Sequence, residues 1–237
     1  MKARQTAGTA VRAVKDDKIP GPGDDFAVRV YHRPAEDVPG VVFYFHGGVW
    51  TVGDLDLVDP TLRDVANQTG CTVISVDYRF APEHRFPAAV DDAMAAVSWV
   101  ARHIEDFATH KVPLMVIGDS AGANLAAVVS LLSRDAGGPD IALQILLYPA
   151  TEGDIHANAM HAFEPPFLVR EEIEWCFDQY IPAAQRGDPR FAPAEATSHS
   201  SLPPAIIVTA EYDLLTTHGE NYARTTASGC SGYEPPL

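Results

Sequence analysis

Val112-Pro-Leu-Met-Val-Ile-Gly-Asp-Ser-Ala-Gly-Ala-Asn-Leu-Ala-Ala-Val-Val-Ser-Leu-Leu132 is the stretch that decides the fold. Leu114 to Ile117 is apolar and partly β-branched, the composition of a strand buried on both faces. Gly118-Asp119-Ser120-Ala121-Gly122 is a G-x-S-x-G turn, and Ala121 to Leu132 is small or aliphatic, suited to a helix packed closely on a sheet. Strand, tight turn and helix in that order are the context in which G-x-S-x-G serves as a nucleophile elbow. The turn strains the backbone at Ser120, and glycines two residues to either side let strand and helix approach. Ser120 then lifts its hydroxyl above the sheet, with the N–H of Ala121 facing an oxyanion. A bare G-x-S-x-G arises often by chance, so its weight comes from the flanking strand and helix.

Upstream, Val41-Val-Phe-Tyr-Phe45 is a second buried strand that runs into His46-Gly47-Gly48-Val49-Trp50. Glycines just after a strand free backbone N–H groups to point at a developing anion. Gly47 and Gly48 are therefore candidate oxyanion residues with Ala121, and His46 is expected to anchor the loop by hydrogen bonding. Residues 9–18 and 26–32 alternate loosely around Ile19-Pro-Gly-Pro-Gly-Asp-Asp25 and predict an antiparallel hairpin. Thr72–Val76, Ile141–Leu147 and Ile206–Thr209 read as further buried strands. Residues 60–69 look helical, and Val90, Met94, Val97 and Ala101 form an apolar stripe at helical spacing. Strands alternating with helices predict an α/β fold with a mostly parallel sheet flanked by helices.

The 237 residues carry 46% apolar and 21% charged side chains, which suits one domain over 1–237. A net charge of −15 argues against nucleic acid and anionic membranes as partners. No apolar run reaches the roughly 20 residues of a membrane span, and Met1-Lys-Ala-Arg-Gln-Thr6 lacks the apolar core of a signal peptide. Cys71, Cys176 and Cys230 are widely spaced, which points to a reducing, cytoplasmic compartment without structural zinc. An insertion at about 151–200 carries Phe163, Pro165, Pro166 and Phe167, then an expected helix at 170–180 with Trp175 and Phe177. It reads equally as a lid over an apolar pocket or as a packed surface excursion. His156 and His161, near Asp154, fit no standard metal spacing, so no metal or cofactor is expected.

Ala210-Glu211-Tyr212-Asp213 follows the strand at 206–209. Asp213 stands where the order Ser, Asp/Glu, His puts its second member, with Glu211 as the competing carboxylate. Together, His46-Gly-Gly-Val-Trp50, Asp77-Tyr-Arg-Phe-Ala-Pro-Glu83, Gly118-Asp-Ser-Ala-Gly-Ala-Asn124 and Ala210-Glu-Tyr-Asp213 resemble the motif set of the hormone-sensitive-lipase family of bacterial esterases. The resemblance runs from about residue 16 to about 224. It implies an α/β-hydrolase fold and hydrolysis of short- to medium-chain carboxylic esters through an acyl-enzyme. It implies Ser120 as nucleophile, Asp213 as triad acid and the backbone N–H groups of Gly48, Val49 and Ala121 as the oxyanion hole, with Asp119 and His46 as supporting motif residues. The partner it implies is a small-molecule ester, without a cofactor.

Three departures from the family pattern set further expectations. Val49 replaces the third glycine of H-G-G-G, and the N-terminal cap is shortened. The family places its histidine about thirty residues beyond the acid, whereas the sequence ends 24 residues beyond Asp213, at Leu237. The residues after Thr225 contain no histidine and read like a displaced frame or a truncation that leaves out the last strand and helix. His218 is expected on the surface, pointing away from Ser120, and His84 and His199 are remote candidates. The expectation is an incomplete triad with doubtful activity, or else a catalytically inactive ligand-binding protein on the same scaffold. An open sheet edge would favour low solubility or a homodimer.

Overall fold

The structure is a computed structural model that describes residues 9–11, 13–32, 38–154 and 169–228. The described strands are β1 (Ala13–Ile19), β2 (Phe26–His32), β3 (Val41–Phe45), β4 (Thr72–Val76), β5 (Leu114–Asp119), β6 (Ile141–Leu147) and β7 (Ala205–Val208). They form one sheet in the order β1-β2-β4-β3-β5-β6-β7. The expected hairpin is present, with Ile19 opposite Phe26. β2 also runs antiparallel to β4, while every pairing from β4 through β3, β5 and β6 to β7 is parallel. The carboxyl ends of the parallel strands therefore meet on one side of the sheet, where ligand sites of α/β folds assemble.

The described α-helices are α1 (Leu55–Thr69), α2 (Ala88–Arg102), α3 (Ala121–Ala136), α4 (Arg170–Tyr180) and α5 (Thr216–Ser228). α1 starts earlier than the 60–69 reading because Asp54 caps it, accepting from the Leu57 N–H at 2.6 Å, and the helix runs through Pro60. It ends at Gly70, whose φ of 82° needs no side chain. α2 and α3 bury their small and branched faces against Phe43, Phe45, Val116 and Leu146. α1 lies on the opposite face, over Tyr31, Val42, Tyr44 and Val73. α4 occupies the place of the expected helix at 170–180. Phe163, Pro165, Pro166, Phe167, His156, His161 and Cys230 lie outside the described residues.

The α1 face is covered unevenly. Val73 beneath α1 is fully buried, Met115 and Ile117 on β5 are partly open, and Ile206 and Val208 on β7 are 50% and 46% exposed. The register carries this row across the sheet, with Ile117 beside Ile145 and Ile145 beside Ile206. The expectation that Ile206 to Thr209 is a buried strand therefore fails on this face. β7 is an edge strand in the described sheet, and α1 does not reach it. For the same reason Leu114 to Ile117 is sealed on the α3 face but only partly covered on the other. No helix among the described residues is long and apolar enough to cross a membrane.

Candidate active site

The elbow is built by close packing. Ser120 sits between β5 and α3 at φ 53°, ψ −116°, outside the allowed regions for a side chain of its kind. Its N–H donates to Leu147 O at 2.9 Å on β6, and its carbonyl accepts from Asn124 N at 3.0 Å in the first turn of α3. A Cβ on Gly122 would overlap the carbonyl oxygens of Phe45 and His46, and one on Gly118 would overlap the backbone of Gly122. Only glycine lets the end of β3 and the start of α3 come this close. That approach sets the loop after β3 directly beside Ser120.

Asp119 pins this loop. One of its carboxylate oxygens accepts from the Tyr44 hydroxyl at 2.7 Å and from the Gly47 N–H at 2.9 Å. The Gly47 N–H is thus spent on Asp119, so Gly47 supports the loop and does not donate to an oxyanion. His46 is fully buried, with Nδ1 2.7 Å from Gly47 O and its ring stacked on Tyr78 at 4.6 Å. Tyr78 in turn donates its hydroxyl to His46 O at 2.7 Å. Beyond it, Gly48, Val49 and Trp50 all have positive φ, at 122°, 48° and 58°. The N–H groups of Thr51 and Val52 both donate to Gly48 O, closing the turn. Among the described residues, the N–H groups of Gly48, Val49 and Ala121 donate to no acceptor. Ala121 opens α3, so its N–H also carries the positive end of the helix dipole.

Asp213 follows β7 and is half-buried, whereas Glu211 is exposed. Its Oδ1 accepts from Leu215 N at 2.8 Å. Burial raises its pKa, and the Leu215 N–H partly offsets this. Tyr148, which sequence reasoning did not single out, closes the same rim. It has φ 39°, and its N–H donates to Val208 O at 2.6 Å. Its phenol pKa is raised by burial and then by the negative charges of Asp119 and Asp213. The only sequence signal for it was a residue squeezed between a strand end and Pro149.

The three candidate histidines lie elsewhere. His84 is exposed, and His199 is buried with Nε2 2.9 Å from Pro193 O. His218 is not the surface residue expected; it is fully buried on α5. Its Nδ1 accepts from Glu152 N at 3.3 Å, and Nε2 has no hydrogen-bond partner among the described residues and lies 3.9 Å from Glu152 Oε2. Burial lowers its pKa to about 4, opposed by the charge of Asp154. It turned inward because Thr151 and Glu152, just past β6, bond to its carbonyl and ring. None of the three bonds with Ser120 or Asp213.

A mostly parallel sheet with a strained serine at a strand-to-helix turn, faced by a glycine loop, defines the α/β-hydrolase class. The chain belongs to a family described by its alpha/beta hydrolase fold, whose pattern matches residues 42–231. It is similar to the carboxylic ester hydrolase LipN of Mycobacterium tuberculosis, 41% identical over 219 residues that make up 89% of this chain and 58% of that protein. It is also similar to the esterase LipI of the same organism, 39% identical over 95% of this chain and 72% of that protein. The hyperthermophilic esterase from the archaeon Pyrobaculum calidifontis superposes with a TM-score of 0.88 at 37% identity, covering 93% of this chain and 73% of that one. The chain thus spans little more than half the length of the first of these relatives.

Proposed function

We propose that this chain carries the nucleophile and oxyanion half of a carboxylic ester hydrolase acting on short- to medium-chain esters. The observation that supports it most is the strained Ser120 at the start of α3, together with Gly48, Val49 and Ala121 N–H groups that donate to no acceptor among the described residues. In this reading Ser120 Oγ attacks the ester carbonyl, and the oxygen that becomes anionic turns toward those donors. The alcohol leaves with the serine proton, the acyl group stays on Oγ, and water releases it as the acid. Each such donor contributes about a hundred-fold or more to turnover. Asp213 is the acid that would orient a histidine base, and loss of that base costs about a million-fold. The insertion at 151–200 acts as a lid in this proposal, with α4 as its described base.

Since none of His84, His199 and His218 bonds with Ser120 or Asp213, a second reading is ligand binding without turnover on the same Ser120 surface. Hydrolysis of p-nitrophenyl butyrate beside a Ser120→Ala control separates the two. Turnover that depends on Ser120 supports the esterase. Equal rates with saturable ester binding support the binding protein. The reduced thiols Cys71 and Cys176, both buried, accord with a cytoplasmic setting. The exposed Ile206 and Val208 on β7, the edge of the described sheet, support self-association into a homodimer.

A further inference from the structure

The oxyanion loop is strained, and something must hold it. Val49 and Trp50 are successive non-glycine residues in the left-handed region, and Val49 is β-branched. Each such residue costs about 1–2 kcal/mol of backbone energy. Asp119 fixes the loop at Gly47, ahead of the strained pair, so it does not explain what holds the far side.

The far side is held by rings. Trp50 is fully buried and lies flat on Tyr180 of α4, with centroids 4.8 Å apart and planes within 3°. Phe177 meets it edge-on at 5.6 Å, and Phe191 tilts against it at 5.2 Å. The indole N–H of Trp50 and the hydroxyl of Tyr180 are buried without hydrogen-bond partners among the described residues. Burying such groups unpaired is unfavourable, so the rings are kept here for their faces and not for their polar atoms. The main chain on this side is tied as well. Ala81 N donates to Trp50 O at 2.9 Å, and Phe86 N donates to Tyr180 O at 2.9 Å. Asn124, one turn along α3 from Ser120, donates to the carbonyls of both Ala150 and Phe191 at 2.6 Å. The helix carrying the nucleophile and the loop carrying the donors thus grip one aromatic cluster.

We propose that Trp50, stacked on Tyr180, is a positioning residue that holds the Gly48 and Val49 N–H donors at the elbow, so that the seat of α4 sets the oxyanion geometry. The inference rests on the hydrolase reading above and adds a mechanical link between insertion and site. It acts on the developing anion and not on ground-state ester binding.

The test uses Trp50→Leu and Tyr180→Leu, which remove the stack, and Trp50→Phe and Tyr180→Phe, which keep a ring while deleting the unpaired polar atoms. The probe is phenylboronic acid. Its boron takes the Ser120 oxygen, the serine proton passes to water, and the resulting boronate anion reports the donors without requiring turnover. The full chain is used throughout, well below each variant's melting temperature, and Phe191→Leu provides a second break should one leucine variant fail to fold. The leucine variants are expected to bind phenylboronic acid about a hundred-fold more weakly, the loss typical of one misplaced oxyanion donor. Any ester turnover should fall in kcat with KM nearly unchanged. The phenylalanine variants should restore both. Leucine variants that keep near-native boronate affinity while melting lower would overturn the inference and leave the hydrolase reading intact. Wild-type protein that binds phenylboronic acid no better than Ser120→Ala would overturn both.

Discussion

Removing the Asp119 carboxylate tests how the loop beside Ser120 is held. Asp119→Ala deletes the acceptor of two hydrogen bonds, from Tyr44 at 2.7 Å and Gly47 at 2.9 Å. Hydrogen bonds to an ionised acceptor contribute about 1.5–3 kcal/mol each. Water can reach the partly exposed Gly47, whereas the Tyr44 hydroxyl is left in a largely buried place. We therefore take the lower end, about 3 kcal/mol in all. For a chain of this size that corresponds to a fall in Tm of about 6–12 °C. Asp119→Asn keeps an acceptor oxygen and should lose about half as much. Thermal unfolding followed by circular dichroism reads both, with urea unfolding as a check. Phenylboronic acid binding should weaken in the alanine variant, because Gly48 and Val49 follow directly on the released Gly47. An alanine variant that melts within about 2 °C of wild type and binds the probe as tightly would refute the pinning role.

His218 offers a pH test. Its folded pKa, about 4, is below the unfolded value near 6.5, so the unfolded state binds more protons between these values and stability rises with pH across that window. His218→Gln should flatten this rise by about 2 kcal/mol, read as the difference between urea unfolding at pH 5 and pH 7 in the two proteins; parallel profiles would contradict it. Val49→Gly relieves a β-branched residue at φ 48°. It should raise stability by about 0.5–1 kcal/mol after the entropy of glycine is counted, and an unchanged or lower urea midpoint would count against strain there. Ile206→Lys with Val208→Lys charges the open face of β7. Wild type should associate on a sizing column and the double variant should run as a monomer; a monodisperse wild-type monomer would remove the homodimer.

The elbow was readable because its determinants are local. Gly118, Ser120 and Gly122 lie within five consecutive positions, and the strand and helix beside them have distinct compositions. The alternation of apolar strands with amphipathic helices carried the parallel sheet in the same way. What escaped depends on groups far apart in sequence. Nothing near Gly47 announces that its N–H is taken by Asp119, 72 residues later. The composition of Ile206 to Val208 says buried, yet no described helix covers that side of β7. His218 looked like a surface residue until Thr151 and Glu152 supplied partners from across the fold. The stack of Trp50 on Tyr180 joins residues 130 positions apart and leaves no periodic trace.

The central claim is that Ser120 is a nucleophile facing an oxyanion site, and paraoxon tests it directly. The phosphorus takes the Ser120 oxygen, p-nitrophenolate leaves, and the serine proton passes to solvent. Mass spectrometry of the digested full chain should find one diethylphosphoryl group, on the peptide that contains Ser120, and none in the Ser120→Ala protein. A chain that stays unmodified after long incubation at high paraoxon, or that carries the label on another residue while Ser120 remains free, would contradict it.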